Sequence, residues 1–578
     1  MQAMFIRLDS GEVIVATPTG SEADPRAIEL DTRVADTGLD WTVRNTGREP
    51  VAVRAVGWRV PVEATGPVRM FANGYQSWSP TGLVVLGRDV DPSLSDNSID
   101  IARGCYHADQ DVVAPGELRS ELVTVLADTA GSVLVGFTGG DRHDGTFRLS
   151  KTEDGVQLVC EAFLGDAVLA PGEERRLHGV AVRSDATPAE MLDRWAAEVG
   201  QLNRARVAAP YQVGWCSWYH YFHEVTEADF LGNLERAADW PFEVFQLDDG
   251  FQAAIGDWLS TTASFPNGLE APAAAVRAAG LRPGIWLAPF LVAPSSEIAR
   301  YHPEWIARDP AGEQPLIGMY NDHWGGFVHV LDTSNPAVLE HLERLAADLV
   351  DAGFTYLKLD FTYAPSIDGT YLDPSRTPAE RVRAGYDAIR RGAGEDTFVL
   401  GCGCPLGPAI GVVDGMRIGP DVAPNWALSP DQLYVPGYAE AAPATLNAWR
   451  STLARSFMHR RLWLNDPDCI MLRTDQTELV PAAARAWAHA VAVSGGMALV
   501  SDDLSLLGDA ARLVLEEVVE TGRQVDASAR TGPAPACPDL LDRRTPERLR
   551  GDGYELVGVV DSTVSGTASG ATLRPYQL

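Results

Sequence analysis

Basic residues are scarce in this chain. Lys plus Arg number 47 against 79 Asp plus Glu, a formal charge of −32 over 578 residues, and such a surface repels phosphate backbones and anionic headgroups. Nucleic acid and an anionic membrane surface are therefore poor partners. Long apolar runs are missing too: nothing approaches the ~18 uninterrupted apolar residues of a membrane span, and the start MQAMFIRLDSGEV lacks a basic segment followed by an apolar run. Cysteine is sparse and odd in number, seven at positions 105, 160, 216, 402, 404, 469 and 537, with no zinc-ligand spacing. We expect no structural disulfide and a cytoplasmic location. There is no GxSxG elbow, and the GCGCPLG run has neither the GxGxxG spacing nor a P-loop lysine, so serine-hydrolase and phosphate-cradle readings lose support.

What is present is ordinary core material. Hydrophobic residues make up 46% and charged residues 22%, with 15 Trp, 15 Tyr and 17 Phe, which suits a folded, soluble, globular protein of several domains or one large domain with accessories. Up to about Ser184 short apolar runs alternate with turns (EVIVATP, LDWTVRNTG, PVAVRAVGWRV, GSVLVGF, GVQLVCEAF), the rhythm of an antiparallel β-sandwich. Thr187, Pro188 and Glu190 then read as a capping-box helix start, with Leu192, Trp195, Ala196 and Val199 on one face.

From there buried apolar strands alternate with helices. Eight strand candidates follow in order: YQVGWCSW, FEVFQLDDG, LRPGIWLAPF, TYLKLDF, FVLGCGCP, GMRIGPD, RLWLNDPD and GGMALVSDD. Helix starts are read at Thr226 with Asp229, Asn335-Pro336, and Thr377-Pro378 with Glu380. Eight such units predict an α/β fold, a closed (β/α)₈ TIM barrel. Beyond about Arg523 the helical pattern stops, and GYELVGVVDSTVSG resembles strands. The expected domains are a β-sandwich over 1–186, a linker helix over 187–204, the barrel over 205–523 and a small C-terminal β-domain over 524–578.

In a barrel, side chains at strand C-terminal ends meet at one rim. There the sequence places Trp218, Asp248, Asp249, Trp286, Lys358, Asp360, Arg417 and Asp421. A lone Asp at a strand end often begins a turn, but tryptophans combined with carboxylates suit sugar rings, and carbohydrate binding follows more directly than catalysis. Lys358 and Asp360, two apart on a strand, share one face about 6 to 7 Å apart along the backbone, so the ammonium is expected to favour an ionised Asp360. The plain alternative is a barrel-interior salt bridge. Asp421, facing an anionic Asp360, is expected to hold its proton, and two carboxyls with diverging affinities are the machinery of glycoside hydrolysis. His220, His223 and Glu224 in HYFHE do not match HExxH, and Thr226 reads as a cap, so no metal site is expected. Cys402 and Cys404 are expected on one side of their strand as pocket lining or core. Asn465 to Asp468 and Asp502-Asp503, also at strand ends, are read as serving turn and loop hydrogen bonding.

Taken together, GWCSWYHYF, FQLDDGF, GDWL, PGIWLAPF, HPEWI, LDTSNP, YLKLDF, GCGCPLGPAIGVVDGMRIGPD, WLNDPD and SDDLSLL resemble the catalytic barrel of family 36 glycoside hydrolase α-galactosidases, in order over residues 211–508. FANGYQSWSP resembles that family's β-sandwich loop reaching into the active site. The resemblance implies a retaining, exo-acting enzyme on α-galactoside oligosaccharides such as melibiose or raffinose, with Asp360 as nucleophile and Asp421 as acid/base. It also implies Asp248 and Asp249 on the 4- and 6-hydroxyls, Lys358 on neighbouring hydroxyls, Arg417 on the 2-hydroxyl side, and Trp78, Trp218, Trp286 and Cys402 lining the subsite. No cofactor or metal is implied. One departure is Gly401-Cys402-Gly403-Cys404-Pro405, where larger members carry a glycine- and serine-rich turn. An α-N-acetylgalactosaminidase, an α-glucosidase, a raffinose-synthase-like transglycosylase and a non-catalytic sugar-binding protein stay open, as does assembly into a homo-oligomer.

Overall fold

The computed structural model describes residues 3–16, 28–35, 38–95, 100–428, 435–560 and 568–575. The end of EVIVATP (17–18) and residues 561–566 of GYELVGVVDSTVSG lie outside these.

The N-terminal apolar runs form two antiparallel sheets, one of six and one of eight strands. The long strands Val51–Val62 and Gly155–Leu169 pair along most of their length, from Val62 opposite Val156 to Val51 opposite Leu169. Alternate residues point between the sheets, where Trp41, Val43, Val53, Met70, Phe137 and Phe147 are buried. The Trp41 indole donates to the His178 carbonyl at 2.6 Å, so the large ring enters the core with its polar atom satisfied.

The helix Pro188–Leu202 follows with the expected capping box, Thr187 accepting from the Glu190 amide while the Glu190 side chain accepts from Thr187. Met191, Leu192, Trp195, Ala196 and Val199 form its buried face. The eight barrel strands then appear where the sequence places them: β1 (Val213–Cys216), β2 (Val244–Leu247), β3 (Arg282–Leu287), β4 (Tyr356–Leu359), β5 (Phe398–Gly401), β6 (Gly415–Arg417), β7 (Leu464–Asp466) and β8 (Ala498–Val500). All neighbours run parallel and β8 pairs with β1. Between β7 and β8 the ring is drawn together by a parallel bridge from Ile470 to Val500 and by the Met497 amide on the Asn465 carbonyl at 2.9 Å. The helices Glu227–Ala237, Pro336–Ala352 and Pro378–Ala393 start at their expected caps.

Two features depart from the reading. A three-stranded antiparallel sheet (Leu291–Val292, Ile317–Asn321, Gly326–Val330) is inserted between β3 and β4; its strands are short and interrupted by turn-rich segments that read as loop. The helix Asp509–Ala529 also continues past Arg523. Gly522 sits inside it at a point of close approach, because a Cβ there would lie 2.2 Å from the Tyr211 hydroxyl. The C-terminal strands Arg548–Gly551, Tyr554–Val560 and Ala568–Pro575 form one antiparallel sheet. It rests on the barrel through Gly558, beside the ring of Trp449. Among the described residues no helix is long and apolar enough to cross a membrane.

The sandwich is joined to the barrel at close quarters. The segment 75–77 lies along 404–406, with the Ser77 amide on the Cys404 carbonyl at 3.2 Å and the Leu406 amide on the Tyr75 carbonyl at 3.1 Å. On the opposite side, Gly200 lies so near the barrel that a Cβ would sit 2.0 Å from the Arg461 carbonyl oxygen. Gly200→Ala should therefore lift the connecting helix and cost about 1–3 kcal/mol by overpacking, read as a lower denaturant midpoint with an unchanged slope.

Candidate active site

At the C-terminal end of the barrel strands lies a cavity of about 200 Å³, lined by Trp78, Tyr106, Trp218, Asp248, Asp249, Trp286, Asn321, Trp324, Lys358, Asp360, Phe361, Asp421, Ala441 and Pro443. It is smaller than the ~300 Å³ at which pockets for drug-sized ligands begin. A larger cleft, about 920 Å³, lies between the sandwich and the C-terminal segment, remote from these rim carboxylates. Eight of the ten residues singled out in the sequence line the small cavity. Cys402 and Arg417 do not: both are buried beneath it, with an Arg417 Nη1 to Cys402 Sγ distance of 3.9 Å.

β2 ends in Asp248 and Asp249, and each carboxylate is pinned separately. Asp248 Oδ2 accepts from Lys358 Nζ at 2.9 Å and from the Gln246 amide at 2.6 Å. Asp249 accepts from the Gln252 amide at 2.6 Å and from the Trp324 indole at 2.9 Å. β4 supplies Lys358 and ends at Asp360, whose Oδ2 takes the Trp286 indole N–H at 2.9 Å while Oδ1 takes the Phe361 amide at 2.9 Å. The alternative of a direct Lys358–Asp360 salt bridge is not what the structure shows. The two side chains share a face, but the ammonium bonds the carboxylate that follows β2, two strands away across β3, and favours the ionised Asp360 through its field.

Burial raises the Asp360 pKa above the ordinary carboxylate value; Lys358 and the Trp286 donor oppose the rise and Asp421 adds to it. Burial likewise raises Asp249. For Lys358 burial works against the charge, yet Asp248 first among its neighbours holds the ammonium well above the usual lysine range.

Asp421 follows β6, and its Oδ1 is ion-paired to Arg417 Nη2 at 2.7 Å. The same guanidinium contacts Asp468, which also receives the Tyr219 hydroxyl and, at 2.8 Å, the Val422 amide. Asp468 is therefore not a turn former alone. Burial pushes its pKa up to about 7 against the pull of Arg417, and it anchors the cation that fixes Asp421. The reading of Cys402 and Cys404 on one side of a strand also fails, because β5 stops at Gly401 and Gly403 turns the chain with φ +50°. Cys404 instead receives the Tyr386 hydroxyl at 3.1 Å. Asp503 caps a short turn by accepting from the Ser505 amide, while Asp502 is buried, ion-paired to Arg473 at 2.7 Å and bonded to the Leu472 loop amide. Thr226 caps its helix, while His223 stacks on His323 with ring centroids 3.5 Å apart.

Aromatic rings form the walls. Trp78 reaches in from the sandwich loop, meeting Phe361 edge-on at 4.9 Å, and Trp324 meets the same ring from the inserted sheet at 5.0 Å. Gly403 is required beneath Trp78, since a Cβ would lie 2.6 Å from the indole. Sequence reasoning missed Tyr106, Asn321, Trp324, Phe361, Ala441, Pro443 and the supports Gln252, Tyr219 and Asp468. Trp324 carried a signal: a tryptophan inside the turn sequence NDHWGG has nothing local to bury it.

The Lys358–Asp248 pair is buried at both ends, so removing one partner strands a charge. Lys358→Met should cost about 3–5 kcal/mol of stability, and adding Asp248→Asn should return part of it, as measured by denaturant unfolding of the single and double variants.

Comparison with known proteins agrees with this geometry. The melibiase family model matches residues 210–372. The chain is 30% identical over 169 residues to the α-galactosidase AgaA of Geobacillus stearothermophilus, covering 28% of this chain and 22% of that protein. It is 33% identical over 117 residues to an α-galactosidase of Escherichia coli, covering 19% and 15%. The matched segments thus span less than a quarter of these curated relatives. Among solved structures, the α-galactosidase TtGalA of Thermus thermophilus, in complex with stachyose, is similar over 89% of this chain and 99% of its own length, with TM-score 0.67 and 27% identity. With the sandwich, the barrel and the ordered rim motifs all in place, the chain is similar in fold and in rim residues to the family 36 α-galactosidases.

Proposed function

We propose that the protein is a retaining, exo-acting α-galactosidase that releases terminal α-linked galactose from oligosaccharides. The observation that carries this reading is one small, aromatic-walled cavity with Asp360 and Asp421 on its lining and the pinned pair Asp248 and Asp249 beside them. A cavity of this size holds one sugar ring, which is what exo action needs. TtGalA has been solved with stachyose and with p-nitrophenyl α-D-galactopyranoside, and the same substrate class is proposed here.

In the reaction Asp421 gives its proton to the leaving glycosidic oxygen while Asp360 attacks the anomeric carbon, passing through an oxocarbenium-like transition state to a β-galactosyl ester. The aglycone leaves as the alcohol. Asp421, now a carboxylate, takes a proton from water, and water displaces Asp360 with a second inversion, restoring the α configuration and both carboxyls. The ion pair with Arg417 engages Asp421 Oδ1 and leaves Oδ2 for these transfers. Asp248 and Asp249 accept from the 4- and 6-hydroxyls, and Lys358 fixes Asp248 while donating to a neighbouring hydroxyl. Trp78, Trp218 and Trp286 enclose the ring. Arg417 acts from beneath by holding Asp421, and the neutral Cys402 thiol supports the Asp360 side. A cytoplasmic location goes with this reading, drawn from the sparse cysteines and acidic composition.

Turnover of 4-nitrophenyl α-D-galactopyranoside, compared with the α-N-acetylgalactosaminide and the α-glucoside, tests the specificity; no preference for the galactoside would redirect it to a sister activity. Asp360→Ala should lower kcat on the order of 10⁴-fold or more, and azide should restore turnover with β-galactosyl azide as product. An Asp360→Ala enzyme fully active without azide would refute the assignment. Trp286→Phe removes a donor that favours the ionised Asp360, so its pKa should rise further. The acidic limb of kcat/KM, which requires the carboxylate, should then move to higher pH.

A further inference from the structure

Arg455 follows the helix Thr445–Ala454 and is fully buried, at 0% exposure. Its guanidinium has no carboxylate within ion-pair distance among the described residues. All its bonds go to neutral oxygens. Nε donates to Asn73 Oδ1 at 3.2 Å, Nη1 to the carbonyls of Ser77 at 2.7 Å and Ile418 at 3.0 Å, and Nη2 to those of Gly74 at 2.9 Å and Gln76 at 3.2 Å. Five bonds use the five N–H groups an arginine has. Burial without a counter-charge pushes its pKa down to about 9, the mark of a cation placed where charge is expensive.

Such a residue is costly as core filling, so its use lies in what the fork connects. Four of its acceptors belong to the sandwich segment that delivers Trp78, and the fifth is the carbonyl of Ile418, between Arg417 and Asp421 on the β6 exit. Lysine could not replace it, having three donors at one point where arginine has a planar fork. The Arg455 carbonyl in turn accepts from the Asn465 amide of β7 at 3.1 Å, which ties the fork to the barrel wall.

We propose that Arg455 is a positioning residue that sets the Trp78 wall, brought from the sandwich, in register with the Asp421 segment of the barrel. This rests on the reading of the cavity as a galactoside site. Arg455 touches no substrate and acts through Trp78 and the chain before Asp421.

The test combines a double-mutant cycle with hydrogen exchange. Arg455→Lys should lower kcat/KM for 4-nitrophenyl α-D-galactopyranoside at least tenfold, with most of the loss in KM, whereas in a Trp78→Ala background the same change should cost less than threefold. Independent, multiplying effects would overturn the proposal and leave Arg455 a packing residue. Exchange is read without substrate: amides of residues 73–79 and 418–422 should lose protection together in Arg455→Lys, with β1 and β2 unchanged. Loss spread over the whole barrel, or confined to one of the two segments, would equally overturn it. If the wild-type enzyme turns over no α-galactoside, the functional reading fails while the exchange measurement still decides the coupling. Should Arg455→Lys not fold, Asn73→Ala removes one acceptor from the sandwich side and should give the same pattern at smaller size.

Discussion

Four aspartates line one cavity of about 200 Å³ with Lys358 as the one lining cation of fixed charge, and the arrangement of the barrel top follows from that crowding. Like charges confined in a low dielectric repel strongly, so each needs its own donor or cation. The structure meets this demand strand by strand. Lys358 on β4 serves Asp248 on β2, the Trp286 indole of β3 serves Asp360 on β4, and Arg417 on β6 serves both Asp421 and Asp468. Lys358 and Trp286 cross from one strand end to another, and Arg417 ties the β6 exit to Asp468 after β7, so the spacing of these carboxylates is set largely by the barrel; Asp249 is held instead by Gln252 and by Trp324 of the inserted segment.

This also explains why a parallel barrel of three- to six-residue strands can hold so polar a centre. The strand backbones satisfy one another, and their side chains alternate between the barrel interior and the surrounding helices. Only the terminal residues reach the rim. Substituting any one support exposes a neighbour's charge, which makes the rim cooperative: Asp468 lies behind Arg417, yet its loss would free the guanidinium that steadies Asp421.

Much of this was legible in the sequence because the signals were local. Each barrel strand announced itself as a short apolar run ending in polar residues, and the capped helices at Thr187, Thr226, Asn335 and Thr377 needed only side chains within one turn. Seven of the eight residues placed at the rim by strand position line the cavity, and Trp78, implied by the family resemblance, lines it too. What was not legible depended on distant contacts. Lys358 was read beside Asp360 because sequence shows neighbours on one strand, while the hydrogen-bond partner of the ammonium, Asp248, is 110 positions away. The helical pattern was read as stopping near Arg523, whereas Gly522 sits inside the helix at a close approach to Tyr211, remote in sequence. Trp324 and Arg455 escaped for the same reason: the first sits in an inserted sheet with weak strand signals, and the second makes its bonds across two domains.

The strands supply carboxylates but cannot roof the cavity, because a ring of parallel strand ends leaves its centre open. The roof comes from outside the ring and converges on Phe361. This residue follows Asp360 with φ +53°, a left-handed conformation that costs a bulky side chain on the order of 1–3 kcal/mol and persists only where the surroundings impose it. The imposition is visible: the Phe361 ring is met edge-on by Trp78 from the sandwich and by Trp324 from the inserted sheet. The same turn points the Phe361 amide back at Asp360 Oδ1, so one strained residue both seats the two walls and donates to the Asp360 carboxylate. The aromatic roof and the geometry of Asp360 are therefore a single constraint, and the β-sandwich belongs to the cavity because its Trp78 supplies one side of it.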